Sequence, residues 1–354
     1  MIASYIQKLV LQNFRSFPVR EIIFDPKQTL ILGDNGKGKT NLLEAISLLS
    51  VGQSFRSRST SECVAWGSEV SHVEIACLSG EDELNLKMSI ISPENKLGQR
   101  GSSKYQRNDV KKKKTDVVGI LKSVVFCPED LEIVDGSPAV RRDFLNSVLV
   151  QVSHKYHTAL QEYEKALKRR NKLILMLRDG MVSRKDFFFW DELLIKHGDV
   201  LTRARAEFVH FVNDLVIFPI KGKLIYDSSI ISKERLHQYA NAEVGAGKTL
   251  VGPHRDSLKI ETEQAIGLHD VAIYGSRGQQ RLAVMWLKIA QLKYIEQEAG
   301  VAPVLLLDDI FSELDDDNRA ILFPLFEDHQ VILTSAERLD ALPEECRKGA
   351  IINL

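Results

Sequence analysis

The stretch GDNGKGKT, Gly33 to Thr40, decides how this chain folds. It fits G-x-x-x-x-G-K-[ST], a phosphate-binding P-loop. Before it, Thr29-Leu30-Ile31-Leu32 reads as a short buried strand. After it, Asn41 onward reads as a helix, with Leu42, Leu43, Ile46 and Leu49 on one face. A strand, a glycine turn and a helix start aim backbone N–H groups at a phosphate. The candidate nucleotide-binding residues are therefore Gly33, Asp34, Asn35, Gly36, Lys37, Gly38, Lys39, Thr40 and Asn41. In such a loop Lys39 reaches the β- and γ-phosphates, and the Thr40 hydroxyl ligates Mg²⁺.

The other half of such a site lies far downstream. Pro303-Val304-Leu305-Leu306-Leu307-Asp308-Asp309 is an apolar run that ends in two carboxylates. Behind a P-loop it reads as a Walker B strand: Asp308 holds the Mg²⁺ shell, and Asp309 orients or deprotonates the attacking water. Many enzymes of this kind place Glu second; Asp is one methylene shorter, so the water must sit closer. Upstream, Tyr274-Gly275-Ser276-Arg277-Gly278-Gln279-Gln280-Arg281 precedes a strong helix, about Leu282 to Glu298. Ser276 and Gln279 have N-cap to N3 spacing and predict a capping box. A glycine-bearing helix start is also an anion site. The loop resembles the LSGGQ signature of ATP-binding-cassette ATPases, aligned as Gly275-Ser276-Arg277-Gly278-Gln279. In that class it completes the nucleotide site of a second subunit. Ser312-Glu313-Leu314-Asp315 resembles the D-loop of the same dimer interface.

The chain has 354 residues, 44% of them hydrophobic, enough for a large core or two domains. With a net charge of −1 it is no uniformly basic nucleic-acid coat, so any nucleic-acid surface must be a local patch. Cys63, Cys77, Cys127 and Cys346 form no C-x-x-C and no metal-ligand spacing; they read as core or incidental thiols. The amino end turns polar too early for a signal peptide. No apolar run nears the roughly 18 residues that a membrane span needs. A soluble, cytoplasmic protein with no membrane partner is expected.

Ile6 to Phe14 and Glu21 to Phe24 read as strands, so three strands precede the P-loop and predict a mixed sheet. Arg56 and Arg58, in Gly52 to Thr60, are either a solvated loop or a basic contact near nucleotide or a phosphate backbone. His72 to Leu78 and Leu84 to Ile91 look like a hairpin around Gly80-Glu81-Asp82. Arg100, Lys104, Arg107, Lys111, Lys112, Lys113 and Lys114 then fall close together. They read either as a solvated face or as phosphate contacts on a nucleic acid. Val124 to Phe126 is a buried strand closed by Cys127-Pro128-Glu129-Asp130. Ser137-Pro138 reads as N-cap and N1. From there the pattern is helical to about Leu177 and includes Lys168, Arg169 and Arg170. A second helical stretch runs from about Lys185 to Phe218 and stops at Pro219. Sustained heptads are absent, so no long coiled coil is expected. Gly245 to Thr249 ends in GKT but lacks the strand and helix of a P-loop. Gly252-Pro253-His254-Arg255-Asp256 reads as a surface turn.

Together, Asn13-Phe14-Arg15, GDNGKGKTNLLEAI, the PED and Arg141-Arg142 segment, GPHRD, GSRGQQR and LLLDDIFSELD resemble the RecF group of SMC-type ATPases. The match runs from Ile6 to about Ser335. It implies an α/β fold: an ABC-type P-loop ATPase head with mixed sheets and an inserted α-helical second lobe. The head would comprise residues 1–137 and 219–354, and the lobe 138–218. The resemblance implies binding of ATP and of double- and single-stranded DNA at gap junctions. It also implies an ATP-dependent homodimer that works with RecO and RecR to load RecA at single-strand gaps. It carries Lys39 and Thr40 to Walker A, Asp308 and Asp309 to Walker B, Ser276, Gly278 and Gln279 to the signature, and Asp315 to the D-loop. In that class the signature loop and P-loop lie at opposite ends of the nucleotide face, so two chains close two sites. There are three departures. Glu129 or Asp130 stands in for the Q-loop glutamine, Thr334-Ser335 for a switch histidine, and Arg277 for a glycine. The first two fit slow hydrolysis used as a switch. They also argue against a transporter motor, as the separate signature loop argues against a P-loop kinase. A scaffold that only binds nucleotide is the remaining alternative, and single-turnover hydrolysis separates it.

Overall fold

A computed structural model of the chain describes residues 4–57, 59–79, 82–93, 101–217, 221–264, 267–312 and 316–354. Arg58, Arg100, Glu313 to Asp315 of the D-loop, the Gly80-Glu81 turn and the Phe218-Pro219 stop lie outside the described residues. The chain divides into two compact units. The first is Met1–Asp130 with Gln291–Leu354; the second is Leu131–Ala290.

The first unit starts with Ser4–Phe14 (β1), Phe17–Ile23 (β2) and Gln28–Leu32 (β3), followed by the helix Lys39–Ser50 (α1). Then come Val70–Ser79 (β4), Asp82–Ile91 (β5), Ser102–Arg107 (β6), Val110–Lys112 (β7) and Ser123–Phe126 (β8). The three strands before α1 do not share one sheet. β1 and β2 join an antiparallel sheet of order β2-β1-β4-β5-β6-β7, whereas β3 joins a parallel one. The burial pattern gives the reason. β1 buries Ile6 and Leu9 on one face only because its register slips between Ile6 and Lys8. β3 is buried at four of its five positions, as a strand covered on both faces must be.

The second unit holds Glu132–Asp135 (α2), Pro138–Val152 (α3), His154–Arg178 (α4), Phe188–Asp214 (α5), Gly222–Asp227 (β9), Lys233–Ala246 (α6), Ser257–Gln264 (β10), Gly267–Asp270 (β11) and Val271–Tyr274 (α7). Ser137 and Pro138 occupy N-cap and N1 as expected, although the Ser137 side chain makes no capping bond. The first helical stretch is two helices, broken where the Ser153 hydroxyl accepts from the Tyr156 N–H and caps α4.

β9, β10 and β11 form an antiparallel sheet that belongs with these helices, not with the head. The chain passes between the compact units at residues 130/131 and 290/291. Polar ties explain it. Asn213 on α5 bonds both backbone groups of Leu224, at 2.7 and 3.0 Å. Arg205 on α5 pairs with Asp256 at 2.7 Å, both fully buried. Gly252 to Asp256 is thus no surface turn: Asp256 also accepts from the Tyr226 hydroxyl and the Ser229 N–H. A buried carboxylate needs such partners. The GKT at Gly247 to Thr249 follows a helix end. Gly247 caps α6 at φ +66°, and Thr249 is buried against Asn171.

The helix Arg277–Ala299 (α8) begins in the second unit and ends in the first. Val304–Asp308 (β12), Val331–Ser335 (β13) and Ala350–Asn353 (β14) complete the parallel sheet, of order β14-β3-β13-β12-β8. β13 therefore lies between the P-loop strand and the Walker B strand.

Candidate nucleotide site and basic surfaces

The P-loop turn is shaped by two glycines. Gly36 and Gly38 hold φ +84° and +97°, a region that side chains rarely enter. A Cβ on Gly38 would also lie 2.7 Å from the Phe17 ring and 2.8 Å from Ser16 Oγ. Lys39 is almost fully buried, and its Nζ donates to the carbonyls of Gly33 (2.5 Å) and Asp34 (3.1 Å). The ammonium is thus held across the loop where a phosphate would lie.

The turn between β1 and β2 braces this loop. Asn41 Nδ2 donates to Ser16 Oγ at 3.0 Å. Arg15 forks onto Glu44 at 2.8 and 2.6 Å, and Glu44 has no exposed surface. Sequence reasoning assigned no role to this pair. The available signal was a lone acid inside the apolar helix run NLLEAI, which needs a buried cation.

Walker B closes the site from the other side. Asp308 is buried at the end of β12, and burial raises its pKa. Hydrogen bonds from the Thr334 and Thr40 hydroxyls pull it back, Glu129 adds to the rise, and Arg56 lowers it. The Thr334 hydroxyl donates to Asp308 Oδ1 at 2.7 Å. Asp309 follows in a left-handed conformation (φ +49°), its N–H donating to Thr334 O (3.2 Å) and Oγ1 (3.1 Å). Thr334 therefore fixes both carboxylate residues, a role sequence reasoning missed.

The residues around Asp308 suit a Mg²⁺ ion. Thr40 and Asp308 are in hydrogen-bond contact, and a buried carboxylate raised by burial gains from a cation. Among the described residues no group of three or more His, Cys, Asp or Glu could hold a metal alone. Mg²⁺ ordinarily takes one or two carboxylates and fills its shell with phosphate oxygens and water.

Of the two acids at the Q-loop position, Asp130 is occupied: its Oδ2 accepts from the Cys127 N–H at 2.9 Å. Glu129 lies 3.7 Å from Arg56, which also reaches Asn41 Oδ1 at 3.3 Å. Arg56 is thus a neighbour of the nucleotide loop.

The signature loop folds as predicted. Ser276 N–H donates to Gln279 Oε1 at 2.8 Å, and Gln279 N–H donates to Ser276 Oγ at 3.3 Å. This is a capping box, and α8 starts at Arg277, earlier than the apolar pattern implied. A Cβ on Gly278 would meet, outside its own helix backbone and among the described residues, nothing closer than Ser276 Oγ at 4.0 Å.

The basic residues separate by burial. Lys104, Lys111, Lys112 and Lys113 are exposed on or beside the β6–β7 hairpin, with Arg107 half-buried. Lys114 is drawn inward instead, Nζ donating to Gly52 O at 2.7 Å just past α1. Lys168 and Arg169 are exposed on α4. Arg170 is not part of that surface. It is 2% exposed and pairs with Asp191 (2.6 Å) and Glu243 (2.8 Å). A buried cation paired with the buried Glu243 and the half-buried Asp191 is structural.

Residues 5–340 match the family model described as the RecF/RecN/SMC N terminal domain. DNA replication and repair protein RecF of Bacillus cereus (strain AH820) is 30% identical, over 98% of this chain and 95% of that protein. The chain belongs to the RecF family. A solved structure of the recombination mediator protein RecF-ATP in the RecFOR pathway has a TM-score of 0.85. It is 29% identical and covers 97% of this chain and 95% of that one. The Smc head domain of Pyrococcus yayanosii, 16% identical over 99% and 95% of the two chains, has a TM-score of 0.53 and supports the fold alone. The fold is thus the RecF form of the ABC-type ATPase head with an inserted helical second lobe, and the chain is of the ATPase family of DNA replication and repair proteins. No described helix is long and apolar enough to cross a membrane.

Proposed function

We propose that this chain is an ATP-switched DNA clamp of recombinational repair, acting in the cytoplasm. Two copies close on ATP, grip DNA at a single-strand gap, and work with RecO and RecR to promote RecA loading. Slow hydrolysis opens the clamp. The observation that carries the reading is Thr334, which sits between the P-loop and Walker B strands and bonds to both carboxylate residues. That arrangement supports reading this face as a cis half-site that binds and hydrolyses a nucleoside triphosphate.

In this reading Lys39 leaves the Gly33 and Asp34 carbonyls for the β- and γ-phosphates, exchanging neutral acceptors for charged ones. Bound Mg²⁺, held by Thr40 and Asp308, would neutralise phosphate charge. Asp309, fixed through its backbone by Thr334, orients the attacking water and accepts its proton. Glu129 takes the Q-loop role. Ser276, Gly278 and Gln279 complete the site of the second copy, with Asp315 beside it. The exposed Lys104 and Lys111 to Lys113, or Lys168 and Arg169, meet DNA phosphates.

Equilibrium ATP binding and single-turnover hydrolysis test the chemistry together. Lys39→Ala should weaken binding. Asp309→Asn should bind normally and hydrolyse slowly. Normal hydrolysis by Asp309→Asn would remove that residue from the mechanism.

A further inference from the structure

Arg277 stands where the cassette signature has a glycine, and it is not idle. Its guanidinium Nη1 lies 2.7 Å from Asp135 Oδ2, a residue 142 positions earlier, and 3.1 Å from Gln280 Oε1. Gln280 in turn donates from Nε2 to Val271 O at 3.3 Å. Asp135 ends α2 on a backbone that is itself pinned. Arg141 Nη1 donates to the carbonyls of Val134 and Gly136, both at 3.1 Å. A Cβ on Gly136 would fall 2.4 Å from Glu132 O. The anchor is fixed, and the Arg277–Asp135 pair ties the capping-box turn to it.

We propose that Arg277 is a positioning residue of the signature loop: its ion pair with Asp135 holds the Ser276–Gln279 turn in the geometry that receives the second copy's nucleotide. This rests on the function proposed above. A glycine at this position leaves the turn's orientation to the partner. Arginine sets it beforehand, which lowers the ordering cost of association. The pair also partly offsets the guanidinium charge beside the turn. The side chains are 70% and 36% exposed, so the pair is screened by salt and its effect per site is modest. A two-fold dimer uses the turn twice, so the effect is at most squared on assembly.

Amide hydrogen exchange at Ser276 and Gln279 in the nucleotide-free protein reads the turn directly. Arg277→Ala and Asp135→Asn should each speed exchange about two- to fivefold. The reversed pair, Arg277→Asp with Asp135→Arg, should restore it. Both side chains are largely at the surface, so these variants should keep the wild-type melting temperature. ATP-driven dimerisation, measured in an Asp309→Asn background, gives the second readout. Each single variant should weaken the dimer, by no more than the square of its exchange effect, leave monomer ATP affinity unchanged, and be rescued by the reversal. Unchanged exchange in both single variants would overturn the proposal. So would a tighter dimer in Asp135→Asn, because freeing Arg277 helps only if it grips phosphate itself. If the Asp309→Asn parent does not dimerise on ATP, the proposed function fails, while the exchange arms still decide the pair.

Discussion

Thr334 donates its hydroxyl to Asp308 and accepts from the N–H of Asp309, so one side chain sets the positions of two successive acids. It occupies the strand where cassette ATPases often carry a switch histidine. A hydroxyl cannot take up a proton as histidine can, so it orients rather than titrates.

Thr334→Val keeps the shape of the side chain and removes both bonds. A hydrogen bond to a charged group is worth roughly 1.5–3 kcal/mol. Hydrolysis should therefore slow by about tenfold or more, with ATP binding in the absence of Mg²⁺ unchanged. Single-turnover assays at several Mg²⁺ concentrations check this. A wild-type rate at every concentration would strip Thr334 of this role.

Arg205 and Asp256 are buried together, with Tyr156, Asn146 and Tyr226 completing their bonds. Asp256→Ala leaves a buried guanidinium uncompensated and should cost about 3–5 kcal/mol. Replacing both residues with apolar ones should cost much less. Urea unfolding of the three proteins decides it, and a loss below about 1 kcal/mol in Asp256→Ala would contradict the buried network.

His254 is bonded on both sides, Nε2 to the Thr249 carbonyl at 3.1 Å and Nδ1 to the Tyr163 hydroxyl at 2.8 Å. A carbonyl only accepts, so Nε2 carries the proton and Nδ1 accepts from the phenol. Burial lowers the His254 pKa to about 4, against 6.5 for the unfolded chain. Between these values the unfolded state binds more protons. Stability is therefore full above pH 6.5 and falls as pH drops toward 4. The loss is roughly 3 kcal/mol at most. Urea midpoints from pH 7 to pH 4.5 measure the slope. His254→Gln should flatten it; an unchanged slope in that variant would show that His254 does not titrate this way.

Neutralising Lys111, Lys112 and Lys113 should lower duplex affinity for every sequence. Each of these lysines that meets a phosphate should, once neutralised, reduce the log–log salt slope by roughly 0.9. Lys114→Ala should behave differently, because that amine is engaged at Gly52, and should reduce stability with little change of slope. A salt titration of the two proteins separates the outcomes. If the triple variant keeps the parent slope, the hairpin does not touch DNA.

What could be read from the sequence was local. The P-loop, its strand and helix, the apolar run ending in Asp308-Asp309 and the Ser276–Gln279 capping box all follow from spacing within one segment. What could not be read depended on topology. Thr334 matters because β13 falls between β3 and β12, which no local pattern reveals. Asp256 reads as a turn residue until Arg205, 51 positions away, is brought onto it. Charge runs also hide which cations are already paired: Arg170 is buried, while its neighbours Lys168 and Arg169 are exposed.

The central claim is that ATP assembles two copies around shared sites. Sedimentation of the Asp309→Asn protein with ATP, with ADP and without nucleotide tests it most directly, alongside Ser276→Arg. The expected result is dimer with ATP alone, and none with Ser276→Arg despite near-normal ATP binding by its monomer. Equal dimer content in all three conditions, or a Ser276→Arg protein that still dimerises and hydrolyses ATP, would contradict the shared site.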